Sequence, residues 1–197
     1  MDKQTELLRL AEDNGGVLTT SAAVGAGISK PTLAAFVKAN DFQCVQRGVY
    51  CSPDAWTDEL YLLHLRCPKT VFSHETALYL HDMCDRTPEQ LSVTARYGYN
   101  PSHLLQDGIR VYTVKKELFH VGRIEMKTFY GHTVATYDAE RTICDMVRSK
   151  SSVDMQSYQD ALKEYGRRSS KNLSNLLAYA RLFHIEKKVR LYLEVLL

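Results

Sequence analysis

The sequence predicts an α+β fold in two parts: a helix-turn-helix unit closed by a β-hairpin over residues 1–54, and a C-terminal domain over residues 55–197 with a small sheet packed against helices. Three observations carry that prediction. Apolar residues recur at helical spacing between Leu7 and Val37, broken by glycine pairs. After Asn40 the period shortens to that of strands, around an Arg47-Gly48 turn. Four strand-like segments follow further on, and from Asp138 the chain reads as helix to its end.

Leu7, Leu8, Leu10 and Ala11 share a first helix, which Gly15-Gly16 stops. Thr19 or Thr20 caps a short second helix holding Ala22, Ala23 and Val24, and Gly25-Ala26-Gly27-Ile28 forms a tight turn. Ser29 caps a third helix, with Pro31 in the first turn, where its missing N–H costs nothing. Leu33, Phe36 and Val37 make the apolar stripe of that helix; Lys30, Thr32, Ala34, Ala35 and Lys38 make its other face. Phe42–Gln46 and Val49–Cys51 are the strands of the hairpin.

Helix, short helix, turn, helix and hairpin follow the order of a winged helix-turn-helix. In such a unit the third helix enters the major groove of duplex DNA by its N-terminus, and the wing approaches phosphates or a minor groove. The DNA-contacting set is therefore Ser29, Lys30, Thr32, Lys38, Gln43, Gln46 and Arg47, with Lys30 and Thr32 nearest base edges. The alternative is a winged-helix protein-docking module, which the five Lys/Arg against six Asp/Glu of residues 1–55 slightly favour. Apart from Asp41, however, those acids lie off the reading face, which favours DNA. GAGISK lacks the preceding strand and the closing Gly-Lys-Ser/Thr of a phosphate loop.

At this point the residues resemble a known family. The string from Leu7 to Trp56, with its RGVY block, is similar to the N-terminal domain of AbiE-type abortive-infection antitoxins, the AbiEi family. The similarity continues through VFSHETALYLHDM at residues 71–83 and VATYDAERTICDMVR at residues 134–148. The resemblance implies the antitoxin of a type IV toxin–antitoxin pair, active in phage abortive infection. Such a protein represses its bicistronic operon through inverted repeats in the promoter. Its C-terminal domain neutralises a nucleotidyltransferase-like toxin without a stable complex. Double-stranded DNA and that toxin are the implied partners. Two copies on the operator follow from two half-sites. No cofactor, metal or enzymatic activity is expected.

Read on its own, the C-terminal domain has helices at Thr57–Arg66 and Ser73–Met83, then strands at Leu91–Arg96, Ile109–Val114, Arg123–Phe129 and His132–Ala135. Helices recur at Asp138–Arg148, Tyr158–Tyr165, Leu173–Phe183 and Ile185–Leu196. Residues 141–197 hold eleven Lys/Arg against six Asp/Glu, a surplus of five. Lys163, Arg167, Arg168, Lys171, Arg181, Lys187, Lys188 and Arg190 make up a basic surface for a polyanion, flanking DNA or an RNA or nucleotide species shared with the toxin. Taken singly, each is also what a solvated helix C-terminus carries.

Four groups of residues carry side chains capable of chemistry. Asp138, Glu140, Arg141 and Asp145 fall where a capped, ion-paired helix needs them, and that reading is preferred to catalysis. Asp107, Glu125 and Lys127 follow the order of a magnesium-dependent nuclease, with two carboxylates for the metal and a lysine for the water. The spacing is loose and the Glu-x-Lys triplet is common by chance. His74, His81 and Cys84, and His64 with Cys67, lack the paired spacing of a zinc site. Ser73-His74-Glu75 is contiguous, which is not how catalytic triads are built. No apolar run approaches a membrane span, the first residues do not form a signal peptide, and five cysteines without a CxxC pair fit a reducing cytoplasm.

Overall fold

The computed structural model describes residues 2–84 and 86–196, the last three of these by backbone alone. The fold is α+β, and the chain divides into two compact units. One is Met1–Arg66 with Lys127–His132; the other is Cys67–Met126 with Thr133–Leu197.

The first unit runs α1 (Lys3–Glu12), β1 (Val17–Thr19), α2 (Thr20–Gly25), α3 (Lys30–Ala39), β2 (Gln43–Gln46), β3 (Val49–Cys51) and α4 (Glu59–Arg66). Strand β3 is central in a three-stranded antiparallel sheet of order β1-β3-β2. The three helices and the hairpin fall where the sequence places them. Strand β1 is an addition: Val17, Leu18 and Thr19 are all buried, so the segment shows no alternation to read. Leu7, Ala11, Leu18, Ala23, Ile28, Leu33 and Phe36 form the core of α1–α3. At about 1.5–3 kcal/mol for each large apolar side chain, this cluster supplies most of the unit's cohesion. Thr19 is the cap of α2, its Oγ1 accepting from the Ala22 N–H at 3.1 Å.

Helix α4 packs on the sheet through Tyr61, Leu62 and Leu65 against Val17, Val49 and Cys51. At its start Asp58 is buried, and its Oδ1 accepts the Tyr61 N–H at 3.0 Å. Its Oδ2 accepts from Thr128 Oγ1 (2.5 Å) and faces His132 Nδ1 (2.7 Å). The His132 ring stacks on Tyr61 at 4.3 Å, and its Nε2 meets the Asn14 carbonyl at 3.1 Å. These bonds make residues 127–132 part of the first unit.

The second unit holds β4 (Val71–Phe72), α5 (His74–Leu80), β5 (Ser92–Arg96), α6 (Ser102–Gln106), β6 (Arg110–Val114), β7 (Arg123–Lys127), β8 (Thr133–Tyr137), α7 (Ala139–Arg148), α8 (Met155–Arg167), α9 (Leu173–Leu182) and α10 (Glu186–Leu196). The sheet order is β6-β5-β4-β8-β7. It is mixed: β5 is parallel to β6, β4 is parallel to β8, and β4 runs against β5. Three corrections to the expected elements have local causes. Strand β7 ends at Lys127, not Phe129, because the Thr128 N–H bonds the His132 carbonyl (2.8 Å) and closes a turn. Helix α5 ends at Leu80, not Met83, where the Met83 N–H turns back to the Leu78 carbonyl (2.9 Å) past Asp82 at φ 52°. Helix α5 also begins at His74, not Ser73, whose hydroxyl makes no cap bond but accepts from Thr94 Oγ1 (2.8 Å) and engages His74 Nδ1 (3.0 Å).

Helix α7 is the axis of the unit, with residues 140–147 all buried. Leu78, Tyr165, Leu176 and Phe183 pack in one cluster with its Ile143 and Met146. Gly122 approaches closely: at φ +72° a Cβ there would lie 2.7 Å from Arg141 Cβ, so the position admits no side chain without movement.

Candidate nucleic-acid interface

Helix α3 buries Leu33 and Phe36 and leaves Lys30, Ala34, Ala35 and Lys38 exposed. Ser29 Oγ accepts from the Thr32 N–H (3.4 Å) and lies 2.8 Å from Thr32 Oγ1. The two hydroxyls therefore partly satisfy each other at the helix N-terminus. Its remaining N–H groups and positive dipole end favour an anion there. In the hairpin, Gln43 and Arg47 are exposed. Gln46 is not available in the same way: its Nε2 donates to the Leu62 carbonyl at 3.1 Å, tying β2 to α4. Among the described residues Lys30, Lys38 and Arg47 form no ion pair.

The acidity of the first 55 residues is located elsewhere. Asp2, Glu6, Glu12 and Asp13 lie on α1 or at its ends. Arg9 pairs there with Glu6 and Asp13, each at 2.6 Å. Residues 30–51 carry Lys30, Lys38 and Arg47 against Asp41 alone, so this stretch is net positive.

The eight basic residues of the second unit fall into two groups. Arg168 donates to the His81 carbonyl (2.7 Å), and Lys171 Nζ to the carbonyls of Gly166 (2.9 Å) and Arg168 (3.1 Å), so both complete a helix end. Arg181 and Arg190 both pair with Glu186, at 3.2 and 2.8 Å. Lys163, Arg167, Lys187 and Lys188 are exposed.

The structure does not bring the nuclease set together. Asp107 precedes β6 and Glu125 sits on β7, strands at opposite edges of the five-stranded sheet. Four interstrand spacings separate those edges by roughly 19 Å, too far for one metal to bridge. The Asp138–Asp145 block is a structural core. Asp138 Oδ1 caps α7 through the Arg141 N–H (2.7 Å), and its Oδ2 accepts from Tyr179 (3.0 Å). Glu140 Oε1 accepts from the Tyr165 hydroxyl (3.1 Å) and the Asn172 N–H (2.8 Å). Arg141 and Asp145 form a fully buried pair at 3.0 Å. Cys144, between them, has its thiol pushed up to about 12 by burial and then by Asp145, so it is no ready nucleophile.

His74 is buried, stacked on Tyr112 with Nε2 3.1 Å from Ser149 Oγ. Desolvation holds it well below the ordinary histidine value, with Arg148, Arg141 and Arg110 acting the same way. His81 donates from Nε2 to the Tyr137 carbonyl (2.7 Å), and burial lowers it too. Among the described residues no group of three or more His, Cys, Asp or Glu is placed to hold a metal, and no helix is long and apolar enough to cross a membrane.

Residues 6–53, from α1 to the end of the hairpin, match the family model for the transcriptional regulator, AbiEi antitoxin. This segment is similar to the AbiEi family of antitoxin transcriptional regulators. The AbiEi match covers the exposed face of α3 and the hairpin described above, and stops before α4. No curated protein matches the chain. Among solved structures the chain is similar to that of the RV2827C protein from Mycobacterium tuberculosis, at 12% identity and a TM-score of 0.56. That likeness covers 92% of this chain and 72% of the other, and at such identity it is a likeness of fold.

Proposed function

We propose that residues 1–54 are a winged helix-turn-helix binding duplex DNA, and residues 55–197 an antitoxin domain. The observation that carries this reading is the exposed, net-positive face of α3 and the hairpin inside the segment that matches an AbiEi regulator. Helix α3 enters the major groove by its N-terminus, with Lys30 at base edges and Ser29 and Thr32 beside it. Arg47 in the wing meets backbone phosphate or the minor groove, while Lys38 and Gln43 support the docking. Gln46 acts at one remove, by holding the hairpin on α4.

The protein represses its own bicistronic operon through inverted repeats, with one copy on each half-site. It neutralises a nucleotidyltransferase-like toxin without a stable complex, in the manner of a type IV pair serving phage abortive infection, and does so in the cytoplasm without catalysis of its own. Lys163, Arg167, Lys187 and Lys188 are the C-terminal cations left to meet a polyanion, since the other four serve the fold.

The test has two arms in cells. A promoter–reporter fusion is repressed by the protein and released by Lys30→Ala with Arg47→Ala. The toxin gene beside it is lethal alone and tolerated when the protein is co-expressed, with no toxin retained on the tagged protein. A reporter indifferent to the protein contradicts the repressor half; unrelieved toxicity contradicts the antitoxin half.

A further inference from the structure

The C-terminal ends of the parallel strands β5 and β6 lie side by side, Arg96 paired with Val114. The Tyr97 N–H extends the ladder by one bond to the Val114 carbonyl, at 2.8 Å. The chain then turns at once. The Tyr99 N–H reaches back to the Arg96 carbonyl (3.0 Å), and Gly98 takes φ +88°. This is the pattern of a type II turn, whose third position needs the positive φ that glycine supplies. Tyr97 occupies the corner before it and is 85% exposed.

A large aromatic ring held in water on a fixed corner adds little to the core, and its surroundings are cationic. Lys115 and Lys116 follow Val114 directly and both are exposed. Arg96 is exposed but braced: its Nη2 donates to His120 Nε2 at 2.6 Å, and its guanidinium lies 5.0 Å from the centre of the Phe119 ring. Residues 96–99 and 115–120 together carry three Lys/Arg against one acid, Glu117. Phe119 itself is buried, so the brace stands on the core.

We propose that this corner binds single-stranded nucleic acid, one base stacking on Tyr97 while the phosphates on either side meet Arg96 and the Lys115–Lys116 pair. An exposed aromatic flanked by cations recognises a base face together with its backbone, and only an unpaired strand offers both. A duplex presents phosphate to the lysines and arginine but keeps its base faces stacked, so it leaves Tyr97 unused. The site shares no residue with α3 or the hairpin, and stands whether or not those bind an operator.

Fluorescence anisotropy of the full-length protein tests it, with labelled twelve-nucleotide oligo(U), oligo(dT) and a duplex of unrelated sequence as probes. The expected result is tighter binding of single strands than of the duplex. Tyr97→Ala should weaken single-strand binding about fivefold or more, while Tyr97→Phe, which keeps the ring, should hold it near wild type. Lys115→Ala with Lys116→Ala should lower the salt slope by about 1.4. Because all three side chains are exposed, thermal melting should be unchanged and binding losses are not losses of fold. A preference for oligo(U) assigns the site to RNA and one for oligo(dT) to single-stranded DNA. Failure to bind either strand, equal affinity for the duplex, or single-strand affinity unmoved by Tyr97→Ala overturns the proposal, as does an equal loss in Tyr97→Phe.

Discussion

Arg141→Ala should be among the most damaging single changes in the second unit, and the reason is countable. Arg141 is fully buried, and its Nε lies 3.0 Å from Asp145 Oδ2, also fully buried. Its Nη1 donates to the carbonyls of Leu118 (2.9 Å) and Val121 (2.8 Å), and its guanidinium sits over Tyr137 and Phe183 at 4.1 and 4.3 Å. Truncation leaves Asp145 with Arg148 alone, at 3.2 Å; it strips the Val121 carbonyl of its donor and leaves the Leu118 carbonyl only the long bond from the Val121 N–H, at 3.4 Å. Breaking a buried pair costs about 3–5 kcal/mol, and the abandoned Val121 carbonyl adds to that. Against a typical total of about 5–15 kcal/mol, the loss removes much of the stability. Replacing both charges, Arg141→Met with Asp145→Leu, strands no carboxylate and should recover at least half of the loss. Urea unfolding followed by circular dichroism reads both variants: the single change should lower the midpoint by about 2 M and the double change by less than half of that. A loss below about 1 kcal/mol for Arg141→Ala, or a double variant no better than the single, would refute the reasoning.

Two further outcomes follow from the buried polar groups. His74 and His81 are held below the ordinary histidine value of 6.5, chiefly by desolvation. A depressed folded pKa gives stability that is present above that ordinary value and is lost as pH falls below it. Stability should thus decline below about pH 6.5, by up to about 1.4 kcal/mol per pH unit for each group. His74→Asn, which suits the positive φ of 50° there, should flatten that slope, and urea midpoints at pH 7.5, 6.5 and 5.5 would show it. In the first unit, Asp58→Ala removes the acceptor of Thr128, His132 and the Tyr61 N–H and should cost about 3 kcal/mol by urea unfolding. Asp58→Asn, which keeps two of those contacts, should cost less.

The N-terminal helices and hairpin were legible because each is punctuated locally: Ser29 as a cap, Pro31 behind it, and a shift of period after Asn40. Strand β1 escaped because three consecutive buried residues show no period. The role of α7 was legible from Asp138 as a cap and Arg141 and Asp145 at i, i+4, although that spacing is equally common at surfaces and gave no sign that both charges are buried. The Asp58–His132 contact spans 74 residues, and no pattern in either segment announces the other. Charge counting found the basic C-terminal segment but not its use: Arg168 and Lys171 serve helix-end carbonyls, and Arg181 and Arg190 share Glu186. It also passed over Tyr97, whose cations come from two strands brought together by parallel pairing.

The most direct test of the central claim is a gel-shift titration of the protein with its own promoter fragment and with a scrambled duplex, for wild type, Lys30→Ala and Arg47→Ala. The account predicts tight, promoter-selective binding. Lys30→Ala should weaken it by about 5- to 150-fold and relax selectivity, and Arg47→Ala should reduce the salt slope by about one. Equal, weak binding to both duplexes, unmoved by either substitution, would contradict it and leave the N-terminal unit as a docking module.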